Sequence, residues 1–170
     1  MRNVKRISIL IIILFSCFRV SFEGRAFHDV IVQNKIIDKM IKFDDYDIYL
    51  GYIEIPRFGV RRLIKSGTSS DILDQLYVGI FDLSGNLDSS DLIVLAGHNV
   101  SNVFSCLHSV SNGDFVYIGY KGGFKRYVVY DKRIVNEYDY SYFNNRKNEL
   151  LLITCDKEGY RLFVFLREDL

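Results

Sequence analysis

The chain of 170 residues contains no Trp, a single Pro and only three Cys. Three is an odd number and far too few for a disulfide scaffold. An excess of one charge is also lacking, because 22 Lys and Arg balance 21 Asp and Glu. This near-neutrality excludes a nucleic-acid binder that works by bulk positive charge, and equally an acidic solvating tail. Hydrophobic residues make up 49% of the chain, which excludes intrinsic disorder.

Features of a metal site are missing as well. No Cys-x-x-Cys pair occurs, and the three His residues are scattered along the chain. Structural zinc sites need four such ligands at short, regular spacings. We therefore expect no metal.

Residues 1–22 have the composition of an export segment. Three basic residues within the first six precede the apolar run Ile7 to Phe18. A basic flank followed by an apolar run is typical of a segment that the membrane-insertion machinery takes up. The run rises only about 18 Å as a helix, which is short for a hydrocarbon core of about 30 Å. Gly24-Arg25-Ala26 is the only small-x-small pattern and it lies late, so we favour an uncleaved anchor over a cleaved signal peptide. Lipidation at Cys17 is a third alternative, and all three place the domain outside the cytoplasmic membrane.

Residues 23–47 are predicted to form a stalk or linker with a short helix. Apolar residues at 30, 37 and 41 share one side of a helical period, and Asp29 is a candidate cap. We expect this helix to pack on the surface of the domain that follows, over residues 48–170.

The domain itself is predicted to be mainly β. Short segments of alternating or continuous apolar residues are separated by clusters of Gly, Asn, Asp and Ser, which favours a closed barrel or a sandwich over βαβ units. Two short helices are expected, Ser70 to Leu76 and Ser101 to Val110. The eight strand candidates are Tyr49 to Ile55, Arg61 to Ile64, Leu92 to Ala96, Phe115 to Tyr120, Arg126 to Asp131, Arg133 to Glu137, Leu150 to Thr154 and Arg161 to Arg167.

Two apolar strands end in reactive side chains. One runs from Leu92 and reaches His98 after Ala96-Gly97, where little side-chain bulk leaves room for another chain; the other begins at Glu149 and ends at Cys155. A thiol facing an imidazole is the arrangement that nucleophilic catalysis at a carbonyl requires. Arg161 opens the next strand after a short loop, so its guanidinium can lie beside the sulfur and stabilise a developing oxyanion.

Each of these residues also has a simpler interpretation. A Cys at a strand end is often a small buried hydrophobe, and an Arg that opens a strand is usually solvated. Cys106, within the second predicted helix, is assigned to the core, and His108 to the surface. The combination of a His and a Cys at two strand ends with an adjacent Arg favours catalysis.

The chain resembles the sortases, the extracytoplasmic cysteine transpeptidases of mainly Gram-positive bacteria. The resemblance rests on Ala96-Gly97-His98-Asn99, on Leu151-Leu-Ile-Thr-Cys155 and on Arg161 after it. Gly51-Tyr-Ile-Glu-Ile-Pro56 resembles the first strand of that family, and the similarity extends over roughly residues 49 to 167. It implies the eight-stranded sortase β-barrel, preceded by an N-terminal membrane segment.

The resemblance also implies a site and a reaction. Cys155 would be the nucleophile, His98 the general acid and base, and Arg161 the oxyanion or substrate-positioning group. Thr154, with Ala96 and Asn99, would contact the substrate. The enzyme would cleave an LPxTG-type C-terminal sorting signal of a secreted protein through a thioester.

The partners follow from the same resemblance. The acyl group would pass to an amine of a peptidoglycan precursor or a pilin lysine, at the extracytoplasmic face of the membrane and without a cofactor. Two alternatives stay open: a thiol hydrolase or processing peptidase on the same barrel, and a non-catalytic module that binds peptide through the aromatic loop Tyr138 to Phe143.

Overall fold

The computed structural model describes residues 28–42, 44–46, 48–143 and 146–170. The predicted membrane segment, residues 1–22, lies outside these ranges, so the structure does not address it. Within the ranges described, none of the helices combines the length and the apolar character that crossing a membrane would need.

Eight strands close into a barrel, which confirms the mainly β, eight-stranded prediction. Their order around the barrel is β1-β2-β3-β4-β7-β8-β6-β5, mostly antiparallel, with β2–β3 and β4–β7 as the parallel pairs. The strands are β1 Gly51–Ile55, β2 Val60–Ser66, β3 Val78–Ile80, β4 Ile93–Ala96, β5 Phe115–Tyr120, β6 Gly123–Asn136, β7 Glu149–Cys155 and β8 Tyr160–Glu168.

The strand count agrees with the prediction because two differences cancel. β3 was not predicted, since it has three residues and a central glycine. Gly79 is needed there, because a Cβ would lie 2.2 Å from the carbonyl oxygen of Gly67. The two strands predicted over 126–137 are one strand, β6, which is bent by a register shift between Val129 and Asp131. Such a bulge lets one long strand curve around a small barrel.

The two predicted helices are shorter than expected. An α-helix covers Ser70–Leu73 (α2), and the chain then turns through Leu76 at a positive φ of 61°. After His98, turns lead into a 3-10 helix at Ser105–Ser109. Further 3-10 helices lie at Pro56–Phe58 and Ser141–Phe143.

The barrel interior is a continuous apolar core. Every strand contributes at least two buried side chains to it, and Phe104 and Leu107 belong to the same core. A second cluster lies on the outer face of β4, β7 and β8, where Phe163 and Phe165 pack with Tyr142 and Phe143 of the β6–β7 connection. The barrel is therefore filled, and any ligand must bind on its outside.

Residues 28–42 form a helix, α1, that packs on the outside of the barrel. Ile37 and Met40 are 0% and 1% exposed and contact Leu63 of β2. The predicted buried face was wrong at Ile41, which is 53% exposed. The buried face instead follows Gln33, Ile37 and Met40, the i, i+4, i+7 spacing of one helix side.

This packing predicts that Ile37→Ala lowers the free energy of unfolding by about 2 to 5 kcal/mol, because it leaves a cavity between α1 and β2. Ile41→Ala, on the exposed side of the same helix, should change it by less than about 0.5 kcal/mol. Urea denaturation of both variants measures the difference. Equal effects would show that α1 does not dock as described.

Candidate active site

The parallel pairing of β4 with β7 brings His98 and Cys155 to one edge of the barrel. Ala96 is the register partner of Ile153, and the amide of Gly97 donates to the carbonyl of Ile153 at 3.1 Å. His98 follows Ala96 by two residues, and Cys155 follows Ile153 by two. Since neighbouring strands lie about 4.8 Å apart, the two side chains leave adjacent strand ends.

The two-residue period of the strands also fixes the face from which they project. Leu95 and Leu152 point into the core, whereas Ala96 and Ile153 belong to the outer cluster. Because alternate residues share a face, Cys155 lies on the outer side, the side of Ile153.

The backbone between these positions is fixed by close contacts. The Thr154 hydroxyl, 2% exposed, donates to the Gly97 carbonyl at 2.8 Å. A Cβ on Gly97 would lie 2.8 Å from Cδ2 of the buried Phe104 ring. The room that the Ala-Gly pair creates is therefore occupied by a ring of the same chain, and not by another chain as the sequence suggested.

Arg161 lies beside Cys155, as predicted from the short loop. The two are register partners in the antiparallel β7–β8 pair. The Arg161 guanidinium donates to Glu137 Oε2 at 2.6 Å and to the Tyr160 carbonyl at 3.1 Å. A guanidinium has five N–H groups, so others remain for a substrate oxygen. Glu137 thus holds a cation at the edge where Cys155 is exposed.

His98 has a carboxylate partner that the sequence did not suggest. Its Nε2 lies 2.8 Å from Asp74 Oδ1, and the side chains are 36% and 68% exposed. Asp74 follows α2 directly, at the C-cap position. A carboxylate can only accept a hydrogen bond, so Nε2 carries the proton in this contact. In the neutral ring, Nδ1 is then the nitrogen without a proton.

A groove begins beside Arg161. Its cavity of about 260 Å³ lies between the outer face of the barrel and the β6–β7 connection. Phe81 and Phe143 pack with ring centroids 5.7 Å apart, and Phe143 meets Phe163 edge to face at 6.1 Å. The lining consists of Phe81, Glu137, Tyr138, Asp139, Tyr140, Phe143, Ile153, Arg161 and Phe163. An apolar groove with carboxylates on one wall is suited to an extended peptide.

The predicted substrate-contacting residues lie in different places. Asn99 is exposed after His98, and Ala96 is half-buried against the outer cluster, whereas Thr154 is buried. Their substrate roles stay predictions. The sequence missed Asp74 and Glu137 as partners of His98 and Arg161. An acidic residue in a loop gives no local signal of such a contact.

Cys106 and His108 are the other cysteine and histidine that the structure describes in the domain. Cys106 is half-buried against the barrel core, and burial raises the pKa of its thiol to about 11. His108 Nδ1 lies 3.7 Å from Asp156 Oδ1, and the His108 side chain is 37% exposed. His108 therefore matches His98 in exposure and also lies near the β7–β8 loop.

The comparisons with known proteins agree with this architecture. The family model of the sortase domain matches residues 53–168, more than half of the chain. The chain therefore belongs to the sortase family. A search of curated proteins found no match.

Several solved structures are similar. Sortase C of Streptococcus pneumoniae is 23% identical, with a TM-score of 0.68 over 74% of this chain and 71% of that chain, which shows the fold alone. Sortase C-1 of Actinomyces oris is 26% identical, with a TM-score of 0.67 over 81% of both chains. Sortase A of Corynebacterium diphtheriae is 25% identical, with a TM-score of 0.65 over 72% of this chain and 61% of that chain.

The contact between Gly97 and Phe104 predicts that Gly97→Ala destabilises the barrel by about 1 to 3 kcal/mol, because the added methyl overlaps a buried ring. The penalty should fall in a Phe104→Leu background, where the ring is gone. A double-mutant cycle of unfolding free energies measures this coupling. Additive effects would contradict the contact.

The two described cysteines should differ in reactivity. With a pKa of about 11, the Cys106 thiol is a thiolate in about one molecule in a thousand at pH 8, so it should alkylate slowly and faster as the pH approaches 11. Exposed Cys155 should react first at pH 8. A time course with iodoacetamide, read by peptide mass mapping, separates the cysteines. Equal rates at pH 8 would favour a non-catalytic module.

Proposed function

We propose that the protein is a cysteine transpeptidase that cleaves a C-terminal sorting signal of the LPxTG type and transfers the acyl group to an amine. The observation that carries the proposal is the placement of His98, Cys155 and Arg161 at one edge of the barrel, beside a groove lined by aromatic side chains. Membership of the sortase family, whose members are cysteine transpeptidases, supports the same reaction class.

In the first half of the reaction, the Cys155 thiolate attacks the carbonyl carbon of the scissile peptide bond. Arg161 donates hydrogen bonds to the oxyanion that forms. The carbon–nitrogen bond breaks as the His98 imidazolium gives its proton to the departing amine. A thioester between the sorting signal and Cys155 remains, and His98 is left neutral.

In the second half, an incoming amine attacks the thioester carbonyl. Neutral His98 takes the proton that the amine loses, and Cys155 leaves as a thiolate. The new amide bond releases the product and restores the starting protonation states. Peptidoglycan precursors and pilin lysines both offer such an amine. Pilin substrate specificity is a property named for the Streptococcus pneumoniae sortase C.

The groove supports an extended peptide as the substrate. Its aromatic floor can bury apolar side chains of the sorting signal, while Glu137 and Asp139 line the same cavity. The groove ends at Arg161, the register partner of Cys155. A peptide lying in it therefore approaches the sulfur along the face from which Cys155 projects.

We further propose that residues 1–22 anchor the enzyme at the extracytoplasmic face of the membrane without being cleaved. The basic flank and the apolar run Ile7 to Phe18 support this arrangement. Intact mass analysis of the membrane-associated protein tests it, because cleavage would remove the first residues.

The reaction is tested with a panel of sorting-signal peptides and an amine acceptor. We expect an amide product that disappears with Cys155→Ala, since the thioester forms on the Cys155 sulfur. His98→Asn should lower the transfer rate by about 100-fold or more, the usual contribution of a general acid–base. His108→Asn is the matched control and should retain the rate. Transfer that survives Cys155→Ala would contradict the proposal.

The same assay separates the alternative of a thiol hydrolase. A transpeptidase gives more product when the amine is added, and that product carries the amine. A hydrolase gives the free acid at a rate that the amine does not change. Peptide that binds without turnover would favour the non-catalytic module.

A further inference from the structure

We infer that Asp74 is a positioning residue for His98, and that α1 holds Asp74 in place through Gln33. The inference rests on the proposed function, because it assigns His98 the proton-transfer role. It links the N-terminal helix, which had only a packing role, to the proton transfer at His98.

The first link is the contact between Asp74 and His98. The Oδ1–Nε2 distance of 2.8 Å is that of a charge-assisted hydrogen bond. By accepting from Nε2–H, the carboxylate selects one tautomer of the neutral ring and leaves Nδ1 as the basic nitrogen. It also stabilises the imidazolium that gives its proton to the departing amine. A His in the wrong tautomer cannot accept the proton of the attacking amine from the right direction.

An exposed ion pair alone would not hold the ring. The Asp74 side chain is 68% exposed, and pairs at that exposure contribute little because both side chains keep much of their freedom. The backbone that carries Asp74 must therefore be fixed. Two residues later the chain passes through Leu76 at a φ of 61°, a conformation that side chains with a Cβ rarely adopt.

The second link supplies that fixation. Gln33 of α1 is 3% exposed, and its Nε2 lies 3.3 Å from both the Gln75 and the Leu76 carbonyl oxygens. Its Oε1 accepts from the amide of Leu63 in β2 at 3.2 Å. One buried amide thus ties the turn after Asp74 to the barrel wall. This amide belongs to helix α1, and the buried Ile37 and Met40 hold the helix against the barrel.

The test compares Asp74→Asn with Asp71→Asn, an exposed carboxylate within helix α2 three residues before Asp74. We expect Asp74→Asn to lower kcat by roughly 10- to 100-fold, with KM changed less than about twofold, since the general acid–base is misdirected while the peptide groove is intact. Asp71→Asn should leave both constants unchanged. Asp74→Glu, which keeps the carboxylate, should recover part of the loss.

A spectroscopic readout follows the ring itself. In the neutral wild-type imidazole, the ¹⁵N shifts of His98 should be those of a protonated Nε2 and an unprotonated Nδ1. In Asp74→Asn the two shifts should move toward each other as the tautomers mix. His28 and His108 serve as internal controls and should not move. His98 shifts and kcat values equal to those of Asp71→Asn would overturn the inference, as would a rise in kcat.

The role of Gln33 is tested with Gln33→Met, which keeps the volume and removes the hydrogen bonds. Lys35→Met, on the exposed side of α1, is the matched control. We expect Gln33→Met to shift the His98 ¹⁵N signals in the same direction as Asp74→Asn and to lower kcat roughly three- to tenfold. Gln33→Asn, whose shorter amide cannot span the three partners, replaces it if Gln33→Met does not fold. Unshifted His98 signals in the folded variant would overturn this link.

The outcomes separate this inference from the proposed function. The ¹⁵N shifts report on His98 whether or not a peptide is turned over. Transfer that survives Cys155→Ala contradicts the proposed reaction. Transfer that requires Cys155 but is unaffected by Asp74→Asn contradicts only the positioning role of Asp74.

Discussion

The pairing of β4 with β7 is the constraint on which the rest of the site depends. These strands are distant in sequence but parallel neighbours in the barrel, so their ends meet at one edge. Register matters as much as pairing, because a slip of one residue would turn every outward side chain of β7 into the core. The Thr154 hydroxyl and the close fit of Phe104 over Gly97 fix that register just before the reactive residues.

Much of the site follows from the sequence because its signals are local. An apolar run followed by His or Cys predicts both a buried strand and a reactive group at its end. The short loop after Cys155 predicts the pairing of Cys155 with Arg161. Asp74 and Glu137 gave no such signal. Asp74 reaches His98 only because β3 pairs with β4, and β3 itself was too short to predict from its three residues.

The same distinction applies to α1. Its helical period was readable, but the buried face depends on what the barrel offers it, and Gln33 was invisible as a contact residue. A polar side chain on the apolar face of a helix is expensive unless its hydrogen bonds are satisfied. Here Gln33 finds backbone partners in two different segments of the barrel. Sequence patterns show that a helix is amphipathic. Only the assembled fold shows which polar residue lies on the buried face among the apolar ones.

The filled interior of the barrel also determines where specificity can vary. Side chains from every strand occupy the inside, so a peptide can be recognised only on the outer face. There the floor is rigid, since Ile153 and Phe163 belong to paired strands, and the wall is the β6–β7 connection. Changes in Tyr138 or Tyr140, 76% and 61% exposed, alter that wall without disturbing the core. Cys155 and Arg161 therefore lie on paired strands, whereas the exposed tyrosines lie on a connection whose substitution leaves those strands intact.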